Sequence, residues 1–98
     1  MKISPNSNSA VLDKKLTRRK YPEARIIVLD DNFNTFEHVA NCLATIIPAI
    51  SKKLSWELAV KIDKEGLAEV WRGPLEQAEL YHQQLRSKGL TMAPIEKT

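Results

Sequence analysis

Between Arg25 and Val39 the hydrophobic period of the chain changes once, and that switch constrains the fold more than any other stretch. Ile26 to Leu29 is an unbroken apolar run with β-branched residues, the pattern of a central, covered strand. Two adjacent carboxylates, Asp30 and Asp31, close the run, and a helix start follows at once. Acids at a strand end before a helix stand on a rigid rim, where they can hold a cation without being buried. Asn34 fits the N-cap, with Glu37 at the third helical position as in a capping box. Phe36, Val39, Ala40, Leu43, Ile46 and Ile47 recur at helical spacing until Pro48 ends the helix.

A second helix is expected from a Ser51 cap to Glu65, burying Leu54, Leu58, Ala59 and Ile62, with Gly66 as its left-handed stop. Leu67–Arg72 alternates as a second strand, with Leu67, Glu69 and Trp71 on one face and Ala68, Val70 and Arg72 on the other. Gly73-Pro74 opens a third helix with proline in the first turn and Glu76 and Glu79 near its positive end. Leu75, Ala78, Tyr81, His82 and Leu85 share its inner face, and Gly89 stops it. Thr91–Glu96 reads as a short last strand that Pro94 confines to an edge. The order β-α-α-β-α-β implies an α+β fold, a small three-stranded antiparallel sheet with three helices on one face.

Ninety-eight residues suit one small domain. No apolar run reaches the ~20 residues of a membrane span, and the first 23 residues lack the long apolar centre of a secretory signal. Cys42 is the only cysteine, so no internal disulfide forms, and a reducing cytoplasmic setting is expected. The formal charge of +3 is uneven. Residues 1–23 carry +4 and read as a flexible basic extension rich at its start in Ser, Asn and Pro; residues 24–98 carry −1 and form the domain. The extension lacks interleaved aromatics, so nucleic acid is ranked low as a partner. Adjacent acids at a strand end are commonly solvated turn residues, and an apolar stripe such as Phe36, Val39 and Leu43 is commonly core. His38 and His82 have no metal-spaced companion. Trp56 and Trp71 are read as partly exposed, Trp71 on the strand surface, and hint at a protein partner.

From about Ala24 to Glu96 the sequence resembles the ClpS family of N-degron adaptors of the Clp AAA+ protease. The resemblance rests on Asp30-Asp31-Asn32-Phe33-Asn34-Thr35-Phe36-Glu37-His38-Val39, on Ala59 to Gly66, on Ala78-Glu79 and on the closing Ile95-Glu96-Lys97. It is a divergent likeness, of the second-paralogue kind that cyanobacteria carry. Asp30 stands where the family has asparagine, and Asp63 where it has histidine. Asn32 replaces the second aspartate, Asn34 the threonine, Thr35 the proline and Phe36 the methionine gate.

The resemblance implies an adaptor that binds the free N-terminus and bulky first residue of substrate proteins and delivers them to a Clp AAA+ unfoldase of ClpA or ClpC type. Asp30, Asp31 and Asp63 would take the α-amino group. Asn34, Phe36, Val39, Leu43, Ala59 and Ile62 would line the side-chain pocket. Glu76 would meet the unfoldase, although the basic residue expected five positions on is Tyr81. A monomer without cofactor, metal, catalytic residue or membrane partner is expected. Three crowded acids imply that at least one titrates upward in the free protein. Phe36 should narrow the pocket mouth and Ala59 give room below it, so the preferred first residues should differ from the usual Phe, Tyr, Trp and Leu or be a subset of them. The alternatives are a regulator that docks on the unfoldase without binding N-termini, and an enzyme using a carboxylate pair or a divalent metal. The third lacks a nearby histidine or clear extra ligand.

Overall fold

The computed structural model describes residues 22–98. The expected basic extension falls almost wholly outside them; its last two residues, Pro22 and Glu23, belong to the fold. Strand β1 spans Glu23–Leu29. Helices α1, Phe36–Ile46, and α2, Lys52–Glu65, follow, joined by a short connection. Strand β2, Leu67–Pro74, leads without a gap into α3, Leu75–Ser87, and β3 is the short Glu96–Lys97. The sheet order is β2-β1-β3 with both pairings antiparallel. The apolar run therefore does occupy the middle strand.

Among the described residues, helices cover one face of that strand. Ala24, Ile26 and Val28 point into a core shared with Ala68 and Val70 of β2, Leu43 of α1, Ile62 of α2, and Ala78 and Leu85 of α3. The opposite face carries an ion ladder instead. Arg25 pairs with Glu96 and, at 3.1 Å, with Glu69, which also takes Arg72 at 2.9 Å. The register slips between Ile26 and Ile27, where Trp71 and then Glu69 are the partners. That bulge lets Val70 stay buried without breaking the strand.

Helix α2 keeps its expected ends. The Ser51 hydroxyl accepts from Leu54 N–H, and Gly66 sits at φ 90°. Ala59 and Ile62 are buried as expected and Leu58 packs on the core, but at the start of the face Leu54 is 39% exposed, while Ser55 is 3% exposed and donates its hydroxyl to the Lys52 carbonyl. Ser55 and Ala40 of α1, both small and buried, line one cleft between the two helices. Helix α1 is capped by Thr35, not Asn34: the Thr35 hydroxyl accepts from His38 N–H at 3.0 Å, so Glu37 falls at the second helical position. Helix α3 begins at Leu75, with Pro74 as its N-cap rather than in its first turn.

The last strand is broken. Met92 bridges Val28, and regular pairing resumes only at Glu96, because Pro94 offers no N–H to the ladder. Trp71 is half-buried rather than a strand-surface residue. It packs on the core and meets Tyr81 edge-on at 5.1 Å. His38 and His82 donate Nε2–H to the carbonyls of Lys88 and Ala93. Among the described residues no helix is long and apolar enough to cross a membrane, and no three His, Cys, Asp or Glu side chains gather as a metal site requires.

Candidate functional site

The site grows from the point where β1 ends. The Asp30 backbone N–H donates to the Gly66 carbonyl at 2.9 Å. This bond clasps the exit of β1 to the C-terminal end of α2. Asp63 lies three residues before Gly66 on that helix, and both Asp30 and Asp63 are exposed. A helix C-terminus carries partial negative charge, so this end of the molecule favours a cation; Lys64, in the same last turn, offsets part of that field.

Asp31 faces another way and is occupied by its own loop. Oδ1 accepts from the N–H groups of Phe33 and Asn34, at 2.8 and 2.7 Å. Oδ2 accepts from the Asn34 amide and the Thr91 hydroxyl, both at 2.7 Å. Four donors fill the lone-pair sites of one carboxylate. The Asn34 N–H foremost, then the Thr91 hydroxyl, hold its carboxyl well below the usual carboxylate range. The upward titration expected of crowded acids thus does not fall on Asp31; hydrogen bonding to the charged form outweighs the cost of its desolvation there. Asn34 is likewise engaged, its amide bridging Asp31 and the Gly89 carbonyl at 3.0 Å. Together these bonds form a stiff turn of the kind aspartate nucleates, tied to the segment after α3. Phe33 rides on that turn and is 90% exposed.

Phe36 opens α1 and is half-buried, its ring edge-on to Trp56 of α2 with centroids 4.5 Å apart. Leu43, Ala59 and Ile62 are buried, and Val39 is half-buried against the core. Beside Trp56, between α1 and α2, runs a cleft of about 160 Å³ lined also by Ala40, Asn41, Ala44, Lys52 and Ser55. Glu76 is exposed in the first turn of α3, and Tyr81 is turned inward on Trp71. Three participants escape sequence reasoning. Thr91 and Gly89 reach the Asp31 turn across 55 to 60 residues of chain, with no local signal. Trp56 is legible as partly exposed but not as the partner of Phe36.

This arrangement can be set beside known proteins. Residues 19–93 match the family model described as ATP-dependent Clp protease adaptor protein ClpS. The chain belongs to the ClpS family. It is 58% identical over 80 residues to the ATP-dependent Clp protease adapter protein ClpS of Synechocystis, covering 82% of each chain. It is 57% identical over 79 residues to that of Nostoc, covering 81% of each. The Thermosynechococcus vestitus protein is 54% identical over 83 residues, covering 85% of this chain and 88% of its own. The ClpS match begins before β1 and ends at Ala93, so it takes in every element except the terminal β3. The α+β architecture agrees with that membership.

Proposed function

We propose that this ClpS-family chain is an adaptor, not an enzyme, that binds the free α-amino group and bulky first residue of substrate proteins and delivers them to a Clp AAA+ unfoldase. The observation that carries this reading is the clasp between Asp30 N–H and the Gly66 carbonyl. It brings one exposed acid, Asp30, to the helix end that bears another, Asp63. Among the described residues neither carboxylate makes an ion pair or a side-chain hydrogen bond. An α-ammonium, with a pKa near ~8, is mostly charged at neutral pH and offers three donors. Ionised carboxylates only accept, so Asp30 and Asp63 suit it. Asp31, its lone pairs spent, adds negative charge and keeps the loop in place. The apolar first side chain goes between Phe36 and the Val39, Leu43, Ala59 and Ile62 positions, and Asn34 fixes the rim. Glu76, exposed at the start of α3, is the proposed unfoldase contact, with the basic extension serving as a tether.

The test is binding of peptides with different first residues, free and N-acetylated, with and without Mg²⁺. Loss of binding on acetylation is expected. Asp30→Asn and Asp63→Asn should each weaken the free peptide roughly 3- to 5-fold, as exposed charge pairs do. Binding of neither form would favour a regulator that docks on the unfoldase alone, and Mg²⁺-dependent turnover would favour an enzyme.

A further inference from the structure

Trp56 is 49% exposed on α2, a costly place for an indole that serves only as surface. Its ring is nonetheless engaged on both sides. On one side it meets the edge of Phe36 at 4.5 Å with an interplanar angle of 78°, the geometry aromatic pairs prefer. On the other it walls the cleft of about 160 Å³ whose facing residues on α1 include the small Ala40 and Ala44. Trp56 also precedes Asp63 by about two helical turns, or ~10 Å along the axis. A Phe36 ring that rests on Trp56 therefore reaches toward the N-terminal half of α2 and away from the Asp30–Asp63 end.

We infer that Trp56 is a positioning residue that pins Phe36 and thereby sets the size of the first residue the site accepts. This deepens the reading above and rests on Phe36 standing at the mouth of the side-chain pocket. A side chain locked between two helices keeps one shape and discriminates by it; a mobile one adapts and discriminates less. Without the indole, the space it filled joins the neighbouring cleft. The Phe36 ring is then free to fall back into that space, and the mouth widens. Large aromatic first residues gain, while smaller aliphatic ones gain little.

The experiment measures affinities of the full chain for free-amine peptides beginning with Trp and with Leu, identical after the first residue, each with its N-acetylated control. Trp56→Ala should shift the Trp-to-Leu affinity ratio toward Trp by about 2- to 12-fold, the worth of one edge-on aromatic contact. Trp56→Phe, which keeps a ring for Phe36 to lean on, should hold the wild-type ratio within about twofold. A ratio in Trp56→Ala unchanged or moved toward Leu overturns the pinning of Phe36, provided circular dichroism reports the same fold. If wild-type binding were indifferent to acetylation, the amine-reading itself would fail and the gate with it. That outcome differs from intact amine-dependent binding with an unmoved ratio, which overturns the role of Trp56 alone.

Discussion

Replacing Asp31 by asparagine removes one charge and almost no volume, yet it strikes the turn on which the whole rim depends. The carboxylate takes four hydrogen bonds between 2.7 and 2.8 Å. Asparagine keeps one oxygen for the two backbone N–H groups, now at neutral strength. In place of Oδ2 it sets an amide N–H₂ against the Asn34 amide and the Thr91 hydroxyl. The hydroxyl can rotate and accept; the Asn34 amide cannot turn over without releasing the Gly89 carbonyl. One bond is lost and three lose their charge assistance. Charged bonds contribute roughly 1.5–3 kcal/mol and neutral ones about 1, and the half-exposed setting favours the low end, so the expected loss is about 2 kcal/mol near neutral pH. In a fold of this size that lowers Tm by roughly 8–16 °C.

Acid supplies the second half of the test. The Asp31 carboxyl is depressed in the folded protein, so its contribution is complete above the unfolded value of about 4. It fades as pH falls through that value toward the folded one, because the unfolded chain takes up the proton first. The stability gap between wild type and Asp31→Asn, measured by urea denaturation, should therefore shrink from about pH 6 to about pH 3. Asp30→Asn removes one charge whose carboxylate makes no side-chain bond among the described residues, and should change stability by less than about 0.5 kcal/mol. A gap at Asp31 under about 0.5 kcal/mol at neutral pH, or one that ignores acid, would refute the assignment of Asp31 as the organiser of the loop.

Gly73→Ala would set a Cβ 2.4 Å from the tip of the Trp71 indole; the ring must leave Tyr81, and we expect a loss of roughly 1–3 kcal/mol with a change in tryptophan fluorescence. Gly66→Ala meets no atom within 4 Å, so only its positive φ is penalised, by roughly 1–2 kcal/mol, and Gly66→Asn should cost visibly less in thermal melts. Glu69→Gln removes the centre of the Arg25–Glu69–Arg72 ladder and should cost about 0.5–1 kcal/mol at low salt, with the difference narrowing as salt is raised to about 1 M.

What sequence reasoning could reach here was whatever depends on near neighbours. Ser51 and Gly66 bracket α2 because a hydroxyl cap and a left-handed stop act within one turn. Ala68 and Val70 alternate inward because the pleat has a period of two. Asn34 was misread as a cap because it and Thr35 are both competent there; a contact with Gly89, 55 residues away, decided between them. Leu54 is exposed because Ser55, one residue on, is the position turned toward Ala40 of α1. The last strand failed at Pro94, whose effect was foreseen in kind but not in extent. At the end of β1 the two acids were legible, but that Asp31 would be filled by hydrogen bonds and Asp30 left exposed was not. Asp31 could have been suspected from the Asp-Asn-Phe-Asn turn pattern, but Thr91 gives no hint of itself.

Among the described strands the middle one comes first, and this orders the folding of the molecule in time. Arg25 must wait for Arg72 on one side and for Glu96 on the other. A polypeptide leaving the ribosome can therefore cover Ile26 and Val28 with α1, α2, β2 and α3 as these emerge, but the β3-side edge of β1 stays unpaired until nearly the last residue is out. Helices α1 and α2 can pair meanwhile, since their contact is local. Vectorial synthesis thus leaves one strand edge open to the end, and a chain cut short before Glu96 offers that edge to its own kind.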